Sequence, residues 1–330
     1  MAITPQEIDQ AYGTIRPYVR RTPVLAVDPA DLGGELAGRD TGGARVSLKL
    51  EQLQCAGSFK ARGAFTNLLL RDVPAGGVAA ASGGNHGVAV AYAAHRLGIP
   101  ARIFVPSISA PAKMQRIRQL GAGLVVTGDR YADALAAAER HIAGSGAMGV
   151  HAFDQRETLL GQGTVGLELA QQASEQASEQ AGGPARRLDT VLVPVGGGGL
   201  IGGVAAYLTQ DVRVIGVEPD GAPTLFRARE QGRPVDAPAG SIAADALAPR
   251  RIGRLVFPIT QRYVDDVVLV SDDAILAAQA RLWRAFRIAA EPAASVGVAA
   301  LLAGAYRPAP GEHVAVVISG ANLTLPELGG

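Results

Sequence analysis

Two stretches of this sequence hold residues whose types and spacing could do covalent chemistry. The first is LQCAGSFKARGAF, Leu53–Phe65, in which Lys60 stands beside Phe59 in an otherwise small and apolar run, two residues before Arg62. A lysine amine attacks a carbonyl only when neutral, so a lysine that forms a Schiff base needs a dry or cationic setting that lowers its pKa. Small neighbours, Phe59 and Arg62 are compatible with such a pocket; a surface lysine is the competing reading. The second stretch is TVLVPVGGGGLIGGVAAYL, which sets Gly196, Gly197, Gly198 and Gly199 directly after a strand-like run and before a helical one. Backbone N–H groups without Cβ obstruction at a helix N-terminus make an anion site. A tight turn with no ligand needs one or two glycines rather than four.

Two ligands compete for that loop. Gly197, Gly199 and Gly202 satisfy G-x-G-x-x-G, and Glu218 ends the next strand about 20 residues on, which taken alone indicates a NAD-dependent dehydrogenase. The other ligand is a lone phosphate on a cofactor whose reactive end is held elsewhere. A Walker-type nucleotide loop is excluded because no Gly-Lys-Ser/Thr follows.

The elements that must position these residues read as alternating strands and helices. Thr4, Pro5 and Glu7 spell a capping box with proline at the first helical position, and Ile8, Tyr12, Ile15 and Tyr18 share one face. The runs RVSLKL, GVAAAS, ARIFVP, GLVVTG, TVLVPV, VRVIGVE and HVAVVISG read as short apolar strands. Helices are expected at 61–70, 88–97, 112–120, 132–143 and 202–208 between them. That alternation predicts a doubly wound α/β fold with parallel sheets covered on both faces. The duplication ASEQASEQ within Gln171–Arg187 reads as a polar helix extension running into a Gly-Pro loop.

A chain of 330 residues can bury a full core, as one large or two closely joined domains. Its formal net charge of +1 provides no basic field for nucleic acid or anionic lipid. One cysteine, Cys55, excludes an internal disulfide and fits a reducing compartment. The start lacks the order of a signal peptide and no membrane-length apolar run follows, so a cytoplasmic protein is expected.

In order along the chain, GSFKARGA, ASGGNHG, GQGT, PVGGGGL, GVEP, IAADAL, EPAASVGVAAL and ISGAN closely resemble the fold type II pyridoxal-phosphate enzymes, in the group of serine/threonine dehydratases and serine racemases. The likeness runs from about Thr22 to Leu325. It implies two three-layer α/β/α domains with mainly parallel sheets, as in the tryptophan synthase β-subunit. Residues 1–73 and 153–330 would form the large cofactor domain and 74–152 a smaller mobile one. The resemblance gives Lys60 the covalent bond to pyridoxal phosphate and proton transfer at Cα. It packs Phe59 on the ring and wraps Gly196 to Gly199, with Leu200, around the phosphate. Asn85 meets the 3′ oxygen, and the loop Ser82–His86, with Gly83, binds the substrate carboxylate through backbone N–H groups; His86 itself reads as structural. Ser319 meets the pyridine nitrogen, and a serine hydroxyl there neutralises no positive charge, which favours prompt β-elimination. A homodimer acting on a small amino acid is implied, with L-serine, L-threonine or 3-hydroxyaspartate losing water and then ammonia to give a 2-oxo acid.

The chain also departs from the pattern. Gly83 stands where racemases of the group carry a serine that acts as acid and base on the opposite ring face, which favours a lyase over a racemase. Glu218 matches one ligand of a divalent-cation site found in some members, but Thr224 replaces an aspartate there, which weakens the site and leaves the cation open. Ala246 and Ser295 replace glycines expected against the cofactor and would reshape the pocket. The sequence leaves no room for a C-terminal regulatory domain, so feedback control through one is not expected. A racemase, a non-catalytic cofactor-binding protein and, remotely, a dehydrogenase remain as alternatives.

Overall fold

The computed structural model describes residues 3–36, 42–179, 187–247 and 249–323. Within these described residues ten strands form two sheets. The larger, in the order β1-β2-β10-β7-β8-β9, comprises β1 (Val24–Val27), β2 (Arg45–Lys49), β7 (Thr190–Pro194), β8 (Arg213–Pro219), β9 (Asp266–Val270) and β10 (His313–Val317). Only β1 runs antiparallel, against β2. The smaller sheet, β5-β4-β3-β6, is parallel throughout and contains β3 (Val78–Ala81), β4 (Ala101–Val105), β5 (Gly123–Val126) and β6 (Met148–Gly149).

Both sheets are buried on both faces. In β7, Val191 and Val193 face a core built with Ile8, Leu159, Ile201 and Val256, whereas Leu192 between them faces Ile275, Leu282, Ala294 and Val298. The period of two thus feeds two helix layers. The small sheet repeats this on a reduced scale: Val78 and Ala80 meet Phe65, Val88 and Ile117, and Ala79 and Ala81 meet Ala134 and Ala138. Each sheet is the middle of an α/β/α sandwich, the class expected from the alternation.

The helix Lys60–Leu70 joins the two units. Phe65 and Leu68 pack into the small-sheet core, while Asn67 Nδ2 donates to Thr158 Oγ1 at 2.9 Å on the long helix Arg156–Glu179. That long helix uses the GQGT motif for close approach. A Cβ at Gly161 would stand 2.6 Å from Gly63 Cα, and one at Gly203 would stand 2.5 Å from Gly163 N. Lys60 therefore begins a helix locked on both sides.

Several boundaries differ from the sequence expectation for one reason. Helices expected to begin near Val88 and at Gly202 begin at Asn85 and Gly199, because the glycines there and the polar Asn85 and His86 interrupt the apolar periodicity that marks a helix start. The capping box at Thr4 and Glu7 forms, with the helix running Pro5–Ile15. The ASEQASEQ stretch continues the long helix to Glu179, and the expected Gly-Pro loop at 180–186 lies outside the described residues, as do residues 324–330.

Candidate active site

The loop carrying Lys60 is fixed by backbone bonds to the end of β10. Gln52 N donates to Ile318 O, Phe59 N to Ser319 O at 3.1 Å, and Ala321 N to Gly57 O at 3.0 Å; Ser58 and Gly320 form a bridge. The motifs GSFKARGA and ISGAN, far apart in sequence, thereby share one wall. A cavity of about 300 Å³ opens there. It brings together Phe59, Lys60, Ser82, Gly83, Asn85, His86, Gly196, Gly197, Gly198, Gly199, Leu200 and Ser319, every expected site residue except Glu218.

The whole chain contains three lysines, Lys49, Lys60 and Lys113. Lys49 is fully buried against Glu168 at 2.7 Å, and Lys113 pairs with Asp245. Lys60 alone has no carboxylate within salt-bridge distance among the described residues. Its Nζ donates to Ala152 O at 2.8 Å and lies 5.0 Å from the Phe59 ring centroid. Burial lowers its pKa to about 8, against a partial upward pull from the charge of Glu291. A nucleophilic neutral amine is thus far more accessible than for an ordinary lysine.

Arg62 plays no part in that shift, contrary to the pocket role read from its position. It points away from the cavity and is fully buried, bonding Glu51 through Nε at 2.8 Å and Glu168 through Nη2 at 2.8 Å. Thr164 of the GQGT motif accepts from its Nη1 at 3.1 Å. This network of Arg62, Lys49, Glu51 and Glu168 anchors the helix that Lys60 begins, while desolvation activates the amine.

The glycine loop is demanded by packing as well as by its first helical turn. A Cβ at Gly197 would overlap the Phe153 ring, and one at Gly199 would stand 2.9 Å from Phe153 Cα. Gly198, at φ 85°, takes the left-handed conformation in front of the helix Gly199–Leu208. No side chain caps that helix, so its leading N–H groups face the cavity wall without an internal acceptor.

The helix Asn85–Leu97 presents a second uncapped start to the same cavity. Ser82 Oγ accepts from Gly84 N at 3.2 Å, which holds the loop open. Asn85 Nδ2 donates to Glu291 Oε1 at 2.5 Å, and Asn85 Oδ1 accepts from Asn322 Nδ2 at 2.9 Å. The Asn85 amide is therefore held at both ends with one donor hydrogen to spare. Glu291 and Asn322 were not assigned roles from sequence, although the motifs EPAASVG and ISGAN contain them. Burial raises the Glu291 pKa, with the charge of Lys113 and the Asn85 bond opposing. His86 is held down to about 3 by burial and the charge of Lys60, so it is neutral. Its Nε2 lies 2.9 Å from Val150 O, and since a carbonyl only accepts, that nitrogen carries the proton. The ring is thus committed, leaving its backbone N–H for a ligand.

Ser319 is buried at the cavity wall and its hydroxyl has no partner among the described residues. At Gly83, which lacks the serine that racemases of the group carry, a Cβ would overlap the Ser109 hydroxyl. Ala246 lines the cavity, but Ser295 does not; its hydroxyl turns back to Glu291 O at 3.2 Å within its own helix. The expectation that Ser295 reshapes the pocket is corrected accordingly. Glu218 also lies apart. Its carboxylate accepts from Leu225 N at 2.7 Å and Phe226 N at 2.9 Å, capping the helix Thr224–Gln231, and burial pushes its pKa to about 8. Thr224 Oγ1 donates to Pro249 O at 2.9 Å. Among the described residues no group of three or more His, Cys, Asp or Glu could hold a metal.

The donor chemistry of this wall fits pyridoxal phosphate. The phosphate fits the uncapped first turn that follows the glycine loop, the aldehyde a desolvated amine, and the ring Phe59 with the free Ser319 hydroxyl and the spare Asn85 hydrogen. Comparisons agree. A family model described as pyridoxal-phosphate dependent enzyme matches residues 15–320. Phenylserine dehydratase from Ralstonia pickettii is 38% identical over 93% of this chain and 90% of its own. L-threonine ammonia-lyase from Thermotoga maritima is 35% identical over 97% of this chain and 76% of its own. The structure of maize serine racemase superposes with a TM-score of 0.88 at 31% identity, covering 99% of this chain and 96% of that one. The chain belongs to the fold type II pyridoxal-phosphate-dependent enzymes, in the group of serine/threonine dehydratases and serine racemases.

Proposed function

We propose that the protein is an ammonia-lyase that removes water from an uncharged L-β-hydroxy amino acid and releases a 2-oxo acid and ammonia. The observation that carries this reading is that Lys60, the one lysine without a carboxylate partner among the described residues, opens into the cavity walled by two uncapped helix starts. The helix start at Gly199 suits the cofactor phosphate and the one at Asn85 suits the substrate carboxylate. Pyridoxal phosphate, when bound, supplies an electron sink for negative charge at Cα. Lys60 then takes the Cα proton, and the Cβ–O bond breaks as the hydroxyl leaves with a proton. Water hydrolyses the resulting enamine to the 2-oxo acid and ammonia. Ser319 offers the ring nitrogen a neutral hydroxyl, which supports elimination over longer-lived carbanion chemistry.

Cavity chemistry bears on the substrate. Lys60 is its one cationic side chain among the described lining residues, and Pro106, Ile108, Tyr131 and Pro249 add apolar surface. Asp245 is already paired with Lys113, so a β-carboxylate such as that of 3-hydroxyaspartate finds no free cation among the described lining residues other than Lys60. L-serine, L-threonine and phenylserine are the favoured candidates; the last is named as the substrate of one relative. Residues 74–152, which contain β3 to β6, serve in this reading as the mobile unit that closes over the site. The protein acts as a cytoplasmic homodimer with Cys55 reduced. No helix among the described residues is long and apolar enough to cross a membrane.

Incubation of the cofactor-loaded protein with L-serine, L-threonine, L-threo-phenylserine and L-threo-3-hydroxyaspartate, with detection of 2-oxo acid, tests the reading. Turnover of at least one of the first three is expected, and no oxo acid from any would overturn it. D-serine accumulating faster than pyruvate would favour the racemase instead.

A further inference from the structure

The loops after β3 and β4 lie side by side because these strands pair in parallel, Ala81 opposite Phe104. The first loop has no side chain at Gly83, and the second fills the space. A methyl group at Gly83 would overlap Ser109 Oγ and stand 2.5 Å from Ser109 Cβ. Ser109 is fixed by its backbone, its N–H donating to Pro106 O at 3.1 Å. Both residues line the cavity, and the Ser109 hydroxyl has no hydrogen-bond partner among the described residues. Ser82 Oγ, the neighbouring serine hydroxyl, accepts from Gly84 N, which turns its oxygen toward its own loop, whereas the Ser109 hydroxyl is held, among the described residues, by nothing but its backbone.

We propose that Ser109 is a substrate-binding residue whose hydroxyl, standing where a side chain at position 83 would stand, donates to the carboxylate of the amino acid. The inference rests on the site assignment above. A carboxylate presents about four acceptor positions, more than the first-turn N–H groups at Asn85 and His86 occupy, and a free hydroxyl beside that turn adds a donor. A hydroxyl carried by the neighbouring loop also ties substrate binding to residues 106–113, where Lys113 reaches across to Asp245.

A hydroxyl exchange tests this. Ser109→Gly removes the group, Gly83→Ser overpacks the wall, and the double variant Gly83→Ser/Ser109→Gly moves the hydroxyl from one loop to the other within the same space. Calorimetric binding of L-alanine, which has no leaving group, to the cofactor-loaded proteins reads affinity without turnover. Thermal unfolding of the cofactor-free proteins reads packing. Ser109→Gly should weaken L-alanine binding by about tenfold, as for a lost hydrogen bond to a charged group. With L-threonine it should raise KM while kcat changes less than about threefold. Gly83→Ser alone should lower the unfolding midpoint, and the double variant should recover both midpoint and affinity. Unchanged affinity in Ser109→Gly, or a double variant that regains its midpoint without regaining affinity, overturns the proposal. If the double variant does not fold, Ser109→Ala decides, because it keeps Cβ and removes only the hydroxyl: tenfold weakening supports the proposal and wild-type affinity overturns it. A wild-type protein that neither binds L-alanine nor turns over a β-hydroxy amino acid overturns the site assignment and this proposal together. Normal wild-type behaviour with an indifferent Ser109 sinks the proposal alone.

Discussion

Replacing Lys60 by methionine should abolish covalent cofactor attachment and yet stabilise the cofactor-free protein. Burial lowers the Lys60 pKa from 10.5 to about 8. At about 1.4 kcal/mol for each pH unit, the charged amine therefore costs the folded state about 3 kcal/mol. The sign follows from linkage. Below pH 8 the lysine is protonated whether the chain is folded or not, and the whole cost is present. Between pH 8 and 10.5 the unfolded chain binds more protons than the folded one, so wild-type stability rises with pH. Above 10.5 both states are neutral and the cost is gone. Methionine has a similar length and no charge, so Lys60→Met should unfold about 4 °C higher than wild type at pH 7 for a chain of this size. Thermal scans of both cofactor-free proteins from pH 6 to 10 check this, and the advantage should shrink above pH 8. A variant less stable than wild type, or a difference independent of pH, would refute desolvation as the source of the amine's reactivity.

The same ionisation predicts that the rate at which the cofactor-free protein captures pyridoxal phosphate rises with pH through a midpoint near 8, followed by the yellow colour of the product. A midpoint near that of an ordinary lysine would contradict it. Arg62→Ala leaves Glu51 and Glu168 buried without their shared partner and should cost about 3–5 kcal/mol in urea unfolding; a loss below about 1 kcal/mol would mean the network is water-filled. Gly197→Ala should reduce bound cofactor by pushing Phe153 out of place, and adding Phe153→Ala should restore part of it; full cofactor content in the single variant would show that the cradle yields easily.

Much of the site was legible because its motifs describe local backbone events. A strand running into Gly196–Gly199 and then an apolar helical run points to a glycine-led helix start, and the Asn85 loop has the same form. Lys60 was legible as unusual, but the cause of its activation was not. Arg62 is adjacent in sequence, and only tertiary packing shows it turned to Glu51 and Glu168. Glu291, Phe153 and Ser109 reach the cavity from separate elements and Asn322 reaches Asn85 behind it, so no spacing rule could link them to Lys60. The antiparallel β1 and the short β6 were not foreseen, because a few residues at or near a sheet edge carry little periodic signal. Glu218 shows the limit of such reading: a carboxylate at a strand end is compatible with a cation or a ribose, and the structure shows it accepting from a helix N-terminus.

The central claim is that Lys60 carries the cofactor. Borohydride reduction of the cofactor-loaded protein, followed by digestion and mass spectrometry, fixes the group to the amine that holds it. The three lysines lie in well-separated parts of the chain, so the assignment is unambiguous. The phosphopyridoxyl group should be found on the peptide containing Lys60. Its recovery on Lys49 or Lys113, or on neither these nor Lys60, would contradict the account.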